Sequence, residues 1–340
     1  MKSLIFALAV LPFLSFGQHT FSIVAVDSVT GEIGSAGATC GDSIIWPGTP
    51  GAYIISDVIP GVGAIHTQSY YHETNQKNAN NRMDLGDSPS EIIKWLEEND
   101  YGNSPNIRQY GIVDYNDGSP RAAAYTGSDC MDYKNHIVGP NYSIQGNILL
   151  GQHILDSMES GFNKTEGCLS DKLMSAMQGA NVVGADSRCK PEGTSSLSAF
   201  LRVAKSTDAE NKLTLDINIA GTDDGVEPID VLQSKYDAWK TSNKNDCLPL
   251  TVPPVEPPND EIGVYPNPAN NTLYVMSGGI KEFNEIRLMN SFGQTIMVLS
   301  GEMIKNGHSI DVGHLPNGLY LINIEVDGEE DWVSKVVIRH

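Results

Sequence analysis

Apolar residues run almost unbroken from Thr20 to Asp27 and stop at a Thr30-Gly31 turn, the mark of a strand covered on both faces. Gly31 to Thr39 reads as a second strand of small residues, which lets another layer approach closely. Gly61 to Tyr71, Arg108 to Tyr115 and Arg121 to Thr126 are further strands, the last two joined by the hairpin signal Asp117-Gly118. Ser195 to Ala204 and Lys212 to Ala220 form a later pair. Helices are predicted between them. Ser88-Pro89-Ser90-Glu91 is a capping-box start ahead of the stripe Ile92, Ile93 and Leu96. Ile148 to Phe162 places Leu155, Met158 and Phe162 on one face, while Leu169, Leu173 and Met177 recur every four residues. Ile229, Leu232, Tyr236 and Trp239 mark a fourth helix. Strands apolar on both faces need cover on both sides, and hairpins mixed with helices do not alternate as a doubly wound parallel fold would. The expected class is α+β, a four-layer αββα sandwich with helices outside two antiparallel sheets.

The pattern changes near the end of the chain. From Ile262 to His340 only short strands are read, at Thr272 to Met276, Glu285 to Asn290, Thr295 to Ser300, Gly318 to Val326 and Trp332 to Arg339. Turn clusters such as Pro266-Asn267-Pro268 and Pro316-Asn317-Gly318 separate them, which predicts a small β-sandwich. Leu248 to Glu261, with two Pro-Pro pairs and three acids, favours extended polyproline II and reads as a spacer. It divides about 225 residues from about 80, both of domain size. At the front, Lys2 and the apolar run Leu4 to Phe16, closed by the small residues Ser15 and Gly17, read as a signal peptide cut before Gln18. The domain plan is a leader at 1–17, the layered domain at 18–243, a linker at 244–261 and the β-sandwich at 262–340.

Charge narrows the partners. Among 340 residues, 22 are Lys or Arg and 42 are Asp or Glu, a formal net charge of −20. That field repels a duplex and an anionic membrane surface, so no nucleic-acid partner is expected. Beyond the leader no run approaches the ~20 apolar residues of a membrane span, so none is expected in the mature chain. No metal or cofactor is expected either. CxxC, HExxH, GxxxxGK[ST] and GxSxG are all missing, and His136 and His153 lack a carboxylate at ligand spacing. The five cysteines of an exported chain are free to form disulfides. The expected pairs are Cys40–Cys130 and Cys168–Cys189, with Cys247 left over in the linker or displacing one of the others.

Two stretches resemble known families. Val264 to Ala269 (VYPNPA), Leu273 to Val275, Asn290 to Gln294 (NSFGQ), Leu315 to Ile322 (LPNGLYLI) and Lys335 to Ile338 (KVVI) together resemble the type A sorting domain of the type IX secretion system. The resemblance implies a Bacteroidetes-type bacterium and a protein that reaches the medium or the outer cell surface by way of the periplasm. It also implies that the secretion machinery engages residues 262–340. Upstream, Thr20 to Ala25 (TFSIVA), Asp27, Thr30 to Glu32, Gly63-Ala64, Thr67-Gln68 and Gln109 to Asp114 begin a second series. Thr126-Gly127, Cys130, Gly139 to Leu149, Gly184 to Arg188 and Ser195-Ser196 continue it. The series is similar to an uncharacterised family whose fold is like that of N-terminal-nucleophile hydrolases. This implies the αββα sandwich and supplies no substrate.

In such a fold the first residue of the mature chain attacks an amide carbonyl, with its own α-amine as base. Thr20 has the right type and position for that catalytic role, but a cut before Gln18 leaves two residues ahead of it. Gly139 to Asn147 is the densest polar segment. Asn141, Gln145 and Asn147 offer amide groups beside an expected helix start, where Asn147 serves equally well as an N-cap. Asp186 and Arg188, in a Gly-rich loop, and Gln68, on a strand, complete the candidate ligand-binding set. His66, on the same strand face as Gln68, is read as incidental. Two functions follow: an exported protein binding an unknown small molecule or peptide, or an amide-bond hydrolase using Thr20 after processing.

Overall fold

The computed structural model describes residues 20–44, 48–116, 118–243, 262–277, 283–290, 293–300, 308–326 and 331–339. The expected leader, the Pro-rich linker and Cys247 lie outside the described residues. Two units divide the chain, Met1–Pro249 and Leu250–His340. In chain order the first unit opens with strands β1 (Thr20–Val26), β2 (Ile33–Thr39), β3 (Ser56–Ile59) and β4 (Gly63–Ser69). Helices α1 (Glu73–Asp84) and α2 (Pro89–Glu98) follow, then β5 (Arg108–Asn116), β6 (Ser119–Thr126), β7 (Asn135–Val138) and β8 (Tyr142–Gly146). It closes with α3 (Gln152–Lys164), α4 (Leu169–Gly179), β9 (Ser198–Ala204), β10 (Leu215–Ile219) and α5 (Pro228–Ser242).

Two antiparallel sheets result. One has the order β10-β9-β2-β1-β8-β7 and the other β3-β4-β5-β6. Strand alternation sorts side chains between faces. Phe21, Ile23 and Ala25 of β1 join Ile154, Leu155 and Met158 of α3 and Leu169 and Leu173 of α4 in one buried cluster. Ile65, Tyr110 and Ile112 of the smaller sheet pack with Ala79 and Met83 of α1 and Ile92 and Leu96 of α2 in another. A third cluster joins the sheets to each other through Val24, Val26 and Ile33 on one side and Val58, Ala64 and Val113 on the other. The small residues of β2 do what their size predicts. A side chain at Gly34 would overlap Leu173, so α4 lies directly on the strand.

The second unit contains strands β11 (Ile262–Tyr265), β12 (Thr272–Ser277), β13 (Phe283–Asn290), β14 (Thr295–Ser300), β15 (His308–Asp311), β16 (Gly318–Val326) and β17 (Trp332–Ile338). They form sheets of order β11-β12-β15 and β14-β13-β16-β17, with Leu273, Val275, Ile286, Ile322, Ile324 and Val336 in the shared core.

Several expectations need correction. The helix read from Ile148 begins at Gln152, with Gly151 as its N-cap, because Asn147 is committed elsewhere. The dense polar segment Gly139 to Asn147 is largely the buried strand β8. Helix α1 was missed because ETNQKNANNRMD shows little apolar periodicity. The cysteine pairing also differs. Cys40 bridges Cys189, Cys130 is free and buried, and Cys168 is disulfide-bonded although Cys189 is already taken. The cause is the ladder: β9 pairs with β2, with Ser198 opposite Thr39, so the segment between α4 and β9 that carries Cys189 comes to the end of β2. The α2 start matches its signature, with both capping-box bonds between Ser88 and Glu91 present.

Candidate functional site

Thr20, Ser22, Val24 and Val26 share one face of β1, the face turned toward the smaller sheet. That interface is therefore apolar toward Val26 and polar toward Thr20. Burying a hydroxyl or an amide costs free energy unless it is hydrogen-bonded, so the polar half must be internally satisfied. It is, through a continuous set of bonds. The Thr20 amide N donates to Asn147 Oδ1 (3.1 Å), and Thr20 O accepts from Gln68 Nε2 (3.1 Å) and from the Asn147 amide (3.2 Å). Gln68 also donates to Gln109 Oε1 (2.8 Å) and accepts from Ser22 Oγ (2.6 Å). Gln145 Nε2 donates to Ser22 Oγ (2.7 Å) and Asn147 Nδ2 to Ser69 Oγ (3.1 Å).

His66 sits in the middle of this set. Its Nδ1 lies 2.9 Å from Ser22 Oγ and its Nε2 2.6 Å from Ser35 Oγ. Ser22 spends its one proton on Gln68, and Gln145 Nε2 also approaches His66 Nδ1 (3.2 Å). Ser35 continues to Ser56 Oγ (2.7 Å), which accepts from Arg202 (3.2 Å). Burial, reinforced by the Arg202 charge, pushes His66 down from 6.5 to about 3. The ring is thus neutral at pH 7. Between those two values the unfolded chain binds a proton that the folded one refuses, so folding stability is complete above 6.5 and falls as pH drops toward 3. The expected slope approaches about 1.4 kcal/mol per pH unit. Urea midpoints measured from pH 7 to pH 4 check this. The wild-type midpoint should fall more steeply than that of His66→Gln, and parallel curves would refute it.

At the same end of β1, Thr20 pairs across the ladder with Thr39, whose Oγ1 accepts from Arg188 (3.3 Å). Asp186 is wholly buried and takes the Arg188 guanidinium through both oxygens (3.0 and 2.6 Å). It also accepts from the Cys40 amide (3.0 Å), beside the Cys40–Cys189 bridge. Two strained backbones flank Asn147: Ile148 has φ 53° and Ser69 has φ 69°. A β-branched residue in the left-handed region costs of order 1–2 kcal/mol, and such strain concentrates at functional sites.

The structure thus brings Thr20, Gln68, Gln145 and Asn147 into one cluster, with Asp186 and Arg188 joined to it through Thr39. Asn141 is elsewhere. Its Nδ2 donates to Val26 O (2.6 Å) at the far end of β1, roughly 20 Å away by strand rise. His66, read as incidental, lies at the centre of the cluster, and Ser22, Ser35 and Gln109 were missed. Their signal was available as polar residues alternating with apolar ones on strands buried on both faces. Among the described residues no group of three or more His, Cys, Asp or Glu is placed to hold a metal ion.

Comparison with known proteins gives two family matches. DUF1028, a family of unknown function, matches residues 20–230. A secretion system C-terminal sorting domain matches residues 263–339. Among solved structures the chain is similar to protein SPO2555 from Silicibacter pomeroyi, described as a DUF1028 protein. The TM-score is 0.53 at 22% identity, covering 67% of this chain and 92% of that one, a likeness of fold. No curated protein matches.

Proposed function

The chain belongs to the DUF1028 family, and on that premise we propose that its first unit is an αββα sandwich of the N-terminal-nucleophile-hydrolase kind, kept as a ligand-binding domain. The C-terminal sorting domain directs the protein through type IX secretion to the cell surface or the medium. In this reading residues 1–17 are a leader removed before Gln18, 18–243 form the sandwich, 244–261 the linker, and 262–340 engage the secretion machinery.

The observation that carries the binding reading is the state of Thr20. The expected cut before Gln18 leaves two residues ahead of Thr20, so its nitrogen, which donates to Asn147, stays an amide. An amide nitrogen cannot serve as general base. N-terminal sequencing of the secreted protein, together with turnover of a panel of aminoacyl p-nitroanilides, tests it. The expected result is a chain starting at Gln18 with no turnover. A chain starting at Thr20, with turnover abolished by Thr20→Ala, would overturn it.

One observation favours the second reading, an amide-bond hydrolase. A cut between His19 and Thr20 would turn the nitrogen facing Asn147 Oδ1 into an α-amine, already oriented by that contact and flanked by the strained backbones of Ser69 and Ile148.

A further inference from the structure

Helix α1 has an unusual division of faces. Asn75, Ala79 and Met83 are its buried residues. Glu73, Gln76, Lys77, Asn80 and Asn81 recur at helical spacing and line a cleft of about 630 Å³. The opposite wall is Ser56 and Asp57 of β3, the outermost strand of its sheet, and Tyr71 lines one end. A cleft of this size falls in the range of small-molecule sites, which are mostly apolar. This one is not: three of its helical residues are primary amides.

The polar groups are held in place before any ligand arrives. Asn80 Nδ2 donates to Asp57 Oδ2 (2.5 Å), Gln76 Nε2 donates to Ile54 O (3.2 Å), and Tyr71 donates its hydroxyl proton to Gln76 Oε1 (2.9 Å). Capacity remains after these bonds. A carboxylate accepts about four hydrogen bonds, and each amide keeps both donor and acceptor positions. Lys77 and Glu73 neutralise each other at 2.5 Å, which leaves Asp57 as the uncompensated charge. An anionic ligand is disfavoured by that carboxylate and by the net charge of −20. An apolar ligand would strand the amides without partners. A neutral molecule dense in hydroxyls matches donors with acceptors throughout, and the Tyr71 ring adds an apolar surface for a sugar face.

We propose that the cleft between α1 and the open edge of β3 is a saccharide-binding site for a neutral ligand of one or two sugar units. The inference rests on the binding reading above and supplies its ligand class. The test is calorimetric titration of the full secreted chain with cellobiose, maltose, lactose and N,N′-diacetylchitobiose, with a neutral tetrapeptide and spermidine as comparison arms. At least one disaccharide should bind. Asp57→Ala should weaken it by about tenfold, the equivalent of one charge-assisted hydrogen bond. Asn81→Trp should block it, and because Asn81 is exposed this variant leaves the core untouched. Lys164→Ala, at an exposed position on α3 outside the cleft, should change nothing. The proposal is overturned if no disaccharide binds, if both cleft variants bind as wild type does, or if only the peptide or spermidine binds. Peptide or spermidine binding blocked by Asn81→Trp would sink the ligand class while leaving the binding reading intact. Thr20-dependent amide turnover would sink the binding reading itself.

Discussion

A Cys40→Ser, Cys189→Ser double variant is expected to lose about 3–5 kcal/mol of folding stability. The two residues lie 149 apart in sequence, so the bridge removes a large share of the freedom of the unfolded chain. Loop closure of that length corresponds to about 5 kcal/mol, and residual structure in the denatured state lowers the figure. The bridge also fixes the loop that carries Asp186 and Arg188 against the end of β2, where the Cys40 amide donates to Asp186. Equilibrium urea denaturation of the variant at pH 7 measures the loss. Reductant is no substitute for the substitution, because Cys168 is disulfide-bonded as well. A loss under about 1 kcal/mol would show that the denatured ensemble already holds these segments together.

Gly111→Ala should cost about 2–5 kcal/mol, from overpacking plus a buried amide left without its partners. Gly111 lies on β5 between His66 and Ala124, and a Cβ there would overlap the Gln145 side-chain amide from the facing sheet. Gln145 has nowhere to go. It is fully buried, it accepts from Ser143 Oγ (2.8 Å), and it donates to Ser22. Shortening the obstructing side chain is the control. A Gly111→Ala, Gln145→Ala double variant should be less destabilised than the sum of the two singles, because the methyl then occupies space the amide has vacated. Additivity in urea denaturation would mean that the two positions do not share that space.

The layered plan was legible because strands covered on both faces have few alternatives. β1, β2, β5, β9 and the helices α2, α4 and α5 all followed from periodicity and caps. What escaped was what polar composition conceals. Helix α1 turns amides rather than apolar groups toward its cleft, so no hydrophobic stripe announced it. β8 reads as a loop because Ser143 and Gln145 break its apolar run, yet both side chains are spent inside the interface on each other and on Ser22. The candidate site was legible at Thr20, Gln68, Gln145 and Asn147, through motifs that carried a family resemblance. His66 was not, since a lone histidine on a strand has no signature until Ser22 and Ser35 are seen on either side of it. Cysteine pairing depended on strand order, which spacing does not encode.

Among the described residues Cys130 is the one free thiol, 2% exposed, with Sγ donating to Arg108 O (3.3 Å) and its ionisation pushed up by burial. Thiolate is the species that reacts with electrophiles, so the native protein is expected to be silent to iodoacetamide and to become alkylated only after it opens. A timed pulse of reagent, followed by intact mass, therefore counts molecules that have unfolded, with the chain supplying its own clock and no engineered label.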